Sequence, residues 1–258
     1  MQYIGTISRA DWNGNAIRTV LSRLDTKWAI VGRENGSGGF QHWQYAVDCA
    51  GALDEYIREN SLGWHVEKCI DWEKSVRYCR KDGRYFLFGD PPHSERMYRK
   101  YRTGQLSLRP TQLEILRSVR RQGDRAISVW IDRKGCSGKS TLCYLEEIGG
   151  RWLSVPRTEQ SPVKILDFVA MHYTGEKAIC IDLPRDKSLT PALCGVLEDL
   201  KDGNVKSAKY QGTKLFIRGV KVVVFTNNWI PPKAYNSLSK DRWDIHTIKE
   251  DDNENPTR

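Results

Sequence analysis

The sequence predicts two units of different class, an α+β unit followed by an α/β unit. Three observations carry this. Short strand-like and helix-like segments alternate from Tyr3 to Phe88. Further on, two apolar runs, Ala178–Ile181 and Val220–Phe225, read as buried strands of a parallel sheet. Between these regions Gly89-Asp-Pro-Pro92 stops a strand, the basic stretch Ser94–Gly104 follows, and Pro110 opens a helical apolar pattern at Leu113, Ile115, Leu116 and Val119. The chain therefore divides into 1–92, a basic linker at 93–122, a second domain at 123–250, and a polar tail, 251–258, expected to be disordered.

In chain order, Tyr3–Ile7 reads as a strand, and Asn15–Leu24 has helical apolar spacing. Trp28–Val31 is a second strand, Gly36–Gly39 a turn, and Phe40–Val47 a third strand. A helix around Ala50–Glu59 follows, then a strand near Trp64–Val66, a short helix at Trp72–Lys81 and a strand at Tyr85–Phe88. Strands with helices on one face suggest a small α+β layer. In the second unit Ala126–Ile131 is a strand, and the two apolar runs end at the polar residues Asp182 and Asn227, where an α/β sheet places its ligands.

Composition bounds the function. Hydrophobic residues make up 39% of the 258, enough for two cores, and no apolar run approaches the roughly 20 residues that span a bilayer. Without a signal-peptide pattern, the chain is expected to be soluble and intracellular, with no membrane partner. The seven cysteines are odd in number and lack zinc-clamp spacing, so they fit scattered thiols in a reduced compartment. The net charge is +9 and unevenly placed: ten Lys/Arg face three acids between Arg96 and Arg133, and six face Asp202 alone between Lys201 and Lys221. Such clusters attract phosphate backbones; a solvated basic surface explains them equally well.

Gly135-Cys-Ser-Gly-Lys-Ser-Thr141 follows a strand. A glycine-bearing strand-to-helix turn exposes backbone N–H groups that cradle phosphates, with Gly135 and Gly138 in the turn, Lys139 on the β/γ-phosphates and Ser140 and Thr141 opening the helix beside magnesium. The pattern departs from G-x4-G-K-[ST]: Arg133 stands where the first glycine belongs. Downstream, Asp182 suits magnesium or its water, and the Asn227 amide suits a γ-phosphate sensor. Arg242 suits an arginine finger acting on a neighbouring subunit's nucleotide.

A second constellation lies upstream. Strand alternation puts His42 and Gln44 on one face, and Glu34 can join them across the turn. An imidazole nitrogen with two oxygens suits Mg²⁺ or Mn²⁺. Tyr78 and Lys81 fall on adjacent turns of one helix face. A tyrosine hydroxyl with an ordinary pKa near 10 needs a polarised phosphate and a nearby cation before it attacks. Such attack leaves a 5′-phosphotyrosine and a free 3′-OH, so the break can be rejoined. Taken singly, each residue is also explained as a packed or surface side chain.

At these motifs the chain resembles the replication initiator (Rep) proteins of small circular single-stranded DNA viruses, circovirus- and nanovirus-like: an HUH-type endonuclease fused to a superfamily 3 helicase. The resemblance runs over roughly residues 3–250. It rests on Tyr3–Ser8, Gln41–Gln44 and Tyr78–Lys81, then Gly135–Thr141, Ile179–Asp182 and Val223–Asn227. It implies a ferredoxin-like endonuclease domain with a central antiparallel sheet, and an α/β AAA+ type P-loop domain. Catalysis falls to Tyr78 and Lys81, metal binding to Glu34, His42 and Gln44, and ATP binding to Gly135, Gly138, Lys139, Ser140, Thr141, Asp182, Asn227 and Arg242. Lys206 and Lys209 fall in a basic hairpin that contacts single-stranded DNA. The resemblance further implies Mg²⁺ or Mn²⁺ at the nicking site, ATP with Mg²⁺ at the helicase site, origin stem-loop DNA and a host polymerase as partners, a homo-oligomer of the hexameric kind, and action in the host nucleus. Asp182 stands without the second acid many relatives carry; Asp186 is the nearest candidate. An ATPase with a vestigial nicking site and a non-enzymatic origin-binding repressor are the alternative readings.

Overall fold

A computed structural model describes residues 1–36, 38–158, 161–207 and 214–249. The chain separates into two compact units, Met1–Leu106 and Ser107–Arg258. Among the described residues no helix is long and apolar enough to cross a membrane. The 251–258 tail and Lys209 lie outside the described residues.

The first unit runs β1 (Gln2–Ser8), α1 (Gly14–Ser22), β2 (Thr26–Asn35), β3 (Gln41–Cys49), α2 (Leu53–Glu59), β4 (His65–Lys68), α3 (Trp72–Arg80), β5 (Tyr85–Gly89) and α4 (His93–Arg102). Its five strands form an antiparallel sheet in the order β4-β1-β3-β2-β5. The expectation of helices on one face is corrected here: both faces are covered. β2 and β3 are apolar at successive positions, so each face has something to bury. Ala29, Val31, Tyr45 and Val47 pack with Ile17 and Leu21 of α1 and Leu53 and Ile57 of α2. Trp28, Ile30 and Ala46 pack with Val76 and Cys79 of α3. Asn13 caps α1 by accepting from the Asn15 and Ala16 amides, and Asp71 caps α3 by accepting from the Lys74 amide.

The second unit runs α5 (Pro110–Arg121), β6 (Ile127–Ile131), α6 (Lys139–Ile148), β7 (Trp152–Val155), α7 (Pro162–His172), β8 (Ala178–Asp182), α8 (Pro191–Asp202), β9 (Asn204–Lys206), β10 (Lys214–Phe216), β11 (Lys221–Thr226), α9 (Pro232–Tyr235), a 3-10 turn at Lys240–Arg242, and β12 (Trp243–Thr247). Five strands form a parallel sheet in the order β12-β6-β11-β8-β7, and β9 pairs antiparallel with β10. Both faces of the parallel sheet are apolar. Val129, Ile181 and Val224 pack with Ile165 of α7 and Leu197 of α8, while Trp130, Cys180 and Phe225 pack with Ile115 of α5 and Leu142 of α6. The stretch read as a basic linker, 93–122, is divided between the units: α4 belongs to the first and α5 to the second.

Candidate functional site

In the first unit the β2–β3 register sets Glu34 directly opposite His42 and Gly32 opposite Gln44. Opposed residues share a face, so Glu34, His42 and Gln44 all lie on the face that α3 covers. The Phe40 carbonyl oxygen accepts from the Gly36 N–H at 2.8 Å and lies 3.3 Å from His42 Nδ1. That contact assigns the ring proton to Nδ1 and turns the Nε2 lone pair towards Glu34, 3.5 Å from Oε2. Glu34 Oε2 is buried and has no hydrogen-bond partner. Two acceptors thus face each other in a buried spot, an arrangement that a cation satisfies. With the Gln44 amide on the same face, the donor set fits Mg²⁺ or Mn²⁺. Among the described residues no group of three His, Cys, Asp or Glu side chains could hold a metal ion, and the third protein donor on this face is the Gln44 amide.

The other Glu34 oxygen organises the candidate nucleophile. Tyr78 Oη donates to Oε1 at 2.9 Å, and the Lys81 ammonium donates to the same oxygen. Lys81 Nζ also sits 3.7 Å from the centroid of the Tyr78 ring. Tyr78 is 46% exposed whereas Glu34 is buried, so a partly exposed tyrosine is tied through its hydroxyl to a fixed acid. Burial pushes the Glu34 carboxyl up, but hydrogen bonds from Lys81 and Tyr78 outweigh it and hold the group below its ordinary value. Burial likewise pulls Lys81 down, and its bonds to Glu34 and Tyr78 carry it above its ordinary value. Both partners are therefore charged at neutral pH.

Sequence reasoning missed Gly32. A Cβ at this position would stand 2.0 Å from the Cys79 carbonyl oxygen of α3. Only a bare Cα lets α3 approach β2 closely enough to bring Tyr78 onto Glu34.

In the second unit the loop after β6, the end of β8 and the end of β11 meet at one edge of the sheet, as parallel pairing through β11 requires. Together they line a cleft of about 440 Å³ that includes Gly135, Gly138, Lys139, Ser140, Thr141, Asp182 and Asn227. Gly138 has φ +83°, a backbone conformation that favours glycine, and a Cβ there would displace the Gln112 amide, whose Nε2 lies 2.6 Å away. Ser140 Oγ lies 3.5 Å from Asp182 Oδ2, a pairing suited to a shared divalent ion. Asn227 Nδ2 donates to the Asp132 carbonyl. Three arginines that the motifs did not single out, Arg109, Arg157 and Arg185, also line the cleft. Arg157 pairs with Asp182, Arg109 Nη1 donates to the Cys136 carbonyl, and Arg185 Nη2 donates to the Lys134 carbonyl at 2.9 Å. The lining is strongly cationic and suits a polyphosphate.

Two further candidates stand apart from the cleft. Arg242 is 3% exposed, and Nη2 pairs with Asp202 at 2.8 Å and Glu198 at 3.1 Å on α8 of its own chain. It lies outside the cleft of its own chain, and its guanidinium is engaged by its own helix α8. Asp186 is 72% exposed at its side chain, faces Lys187 at 3.6 Å and also stays outside the cleft.

Lys206 ends β9 directly opposite Lys214 of β10. Two like charges in register cost stability, a cost that a bound anion relieves. Phe216 is 76% exposed beside them, with Lys214 Nζ 4.5 Å from its ring centroid.

No protein-family model matches the chain, and no curated protein matches it. Among solved structures, the X-ray structure of a JC virus (JCV) helicase is similar to 54% of this chain at 16% identity, with a TM-score of 0.30. The aligned part spans 40% of that helicase chain.

Proposed function

We propose that this chain nicks and rejoins single-stranded DNA through Tyr78 and hydrolyses ATP in the Lys139 cleft to drive strand separation. The observation that carries the reading is the convergence of Tyr78 Oη and Lys81 Nζ on one oxygen of Glu34, whose other oxygen faces the His42 imidazole. Glu34, His42 and Gln44 would hold a divalent cation, which when bound polarises the scissile phosphate. Tyr78 Oη attacks phosphorus while its proton is held at Glu34 Oε1. The bond from phosphorus to the 3′ oxygen breaks, and that oxygen leaves as a 3′-OH once protonated. The 5′-phosphate remains esterified to Tyr78, so attack by a 3′-OH reverses the step and reseals the strand. Lys81 keeps positive charge beside the reacting oxygens.

In the cleft, Lys139 and the three arginines would neutralise the phosphates, Ser140 and Asp182 would hold magnesium, and Asn227 would report on the γ-phosphate end. The opposed Lys206 and Lys214, with Phe216, take a strand by charge and stacking. Rolling-circle replication of a circular viral genome, hexamer formation, use of a host polymerase and action in the host nucleus belong to the same reading and rest on the motif resemblance.

The test incubates the chain with Mn²⁺ or Mg²⁺ and a single-stranded stem-loop oligonucleotide. A covalent protein–DNA adduct is expected, and Tyr78→Phe removes it. An adduct that survives in Tyr78→Phe identifies the wrong nucleophile. Lys139→Ala removes ATPase activity and leaves the adduct, and loss of both argues against separable sites. ATP hydrolysis without any adduct favours the reading in which the nicking site is vestigial.

A further inference from the structure

Beneath the phosphate loop lies an acid that no motif assigns. Asp132 is 1% exposed and stays outside the cleft lining. Its Oδ1 accepts from the Gly135 N–H at 2.8 Å, and its Oδ2 accepts from the Ser137 hydroxyl at 2.6 Å and from the Lys139 ammonium. Ser137 Oγ is itself 3.5 Å from Lys139 Nζ. The backbone of the same residue reaches the other side of the cleft: its N–H donates to the Thr226 carbonyl at 2.8 Å, and its carbonyl accepts from Asn227 Nδ2. One residue thus shapes the loop, holds the lysine and anchors the amide at the end of β11.

We infer that Asp132 is a positioning residue which stores the Lys139 ammonium on the cleft floor in the nucleotide-free chain, so that an arriving triphosphate must draw the lysine away from it. This rests on reading the cleft as a nucleoside triphosphate site. A buried carboxylate stripped of its cation is costly, so the ion pair opposes binding until phosphate oxygens replace it. Burial alone would push the Asp132 carboxyl up, but the Lys139, Ser137 and Gly135 hydrogen bonds hold it below its ordinary value. The arrangement also accounts for the missing early glycine. Arg133 follows directly on an aspartate that braces the turn from inside, so loop shape does not depend on a glycine there.

Asp132→Asn keeps the size of the side chain and an oxygen for the Gly135 N–H, yet cannot hold an ammonium. Two readouts are made on the full chain. Amine acetylation, read by peptide mass spectrometry as the Lys139 yield relative to exposed Lys233, reports the nucleotide-free state; Asp132→Asn is expected to raise it about fivefold as the side chain leaves its pair. ATP binding in EDTA, read by calorimetry, is expected to tighten about tenfold because no ion pair has to break. A shape-only role for Asp132 leaves the acetylation ratio unmoved and weakens ATP binding. Ser137→Ala removes the hydroxyl that shares Asp132 Oδ2 with Lys139, leaves the ammonium as the remaining side-chain donor to that oxygen, and is expected to shift both readouts the opposite way, which serves as the test if Asp132→Asn does not fold. Unchanged acetylation in the folded variant overturns the proposal. Raised acetylation with no ATP binding by either chain keeps the stored lysine and sinks the nucleotide reading instead.

Discussion

Gly32→Ala probes how the nicking constellation is assembled. The added methyl would stand 2.0 Å from the Cys79 carbonyl oxygen, and real Cβ contacts essentially never fall below 3.0 Å. The helix must therefore lift off the sheet by about 1 Å, because backbone is struck and no flexible side chain can give way. The Tyr78–Glu34 hydrogen bond is 2.9 Å long, so a lift of this size takes it beyond bonding range. Overpacking of this kind costs about 1–3 kcal/mol, while displacing a reacting group by about 1 Å costs up to 10²-fold in rate. The expected outcome is a folded chain with a lower urea midpoint, covalent adduct formation slowed by about 10- to 100-fold, and unchanged ATPase activity. Adduct formation at the wild-type rate in Gly32→Ala would refute the argument that α3 is placed by this close approach.

Other perturbations test the remaining elements. Lys201 is buried against the Gln122 Oε1 and the Gly123 and Val220 carbonyls, and burial, with Lys221 nearby, pulls it down to about 8. Its folded value lies below its unfolded one, so the unfolded chain binds the extra proton between about pH 8 and 10.5, and stability rises with pH there by up to about 3 kcal/mol. Lys201→Met should flatten that rise in urea titrations across the window, and an identical slope in both proteins excludes Lys201 as its source. Lys214→Ala should lower the salt slope of single-stranded DNA binding by about 0.7, the share of one phosphate contact, whereas an unchanged slope places the strand elsewhere. Phe216→Ala should weaken the same binding by about 1–3 kcal/mol with the salt slope intact, as loss of one stacked base requires. Arg242→Ala should destabilise the chain by removing the guanidinium that pairs with Glu198 and Asp202; a variant of wild-type stability that loses ATPase only when oligomeric would support the finger role.

Much of the architecture follows from local pattern. Alternation along 41–44 is enough to put His42 and Gln44 on one face, and the apolar runs at 178–181 and 220–225 are enough for a parallel sheet. The same patterning misled at α3. Both Trp28/Ile30 and Ala29/Val31 are apolar, so β2 offers two faces to bury, and periodicity does not say which helix takes which. The cleft arginines were illegible for another reason. Arg109, Arg157 and Arg185 belong to no spacing pattern, and each arrives from a different loop or cap.

By itself the sequence determines what chemistry each segment can carry: a tyrosine and lysine one turn apart, an imidazole and amide two residues apart, a lysine at the start of a helix. Those relations span a few residues, and helix and strand periods convert them directly into geometry. Partner choice was decided only by the tertiary structure. Lys81 and Tyr78 share Glu34 across 47 and 44 positions of chain, Arg242 is captured by Glu198 and Asp202 of α8, and Asp132, unremarkable as a residue type, holds Lys139. Such pairings depend on strand register, on how closely one backbone can approach another, and on which charge is left buried without a counter-ion, and none of these is a property of a short stretch of sequence.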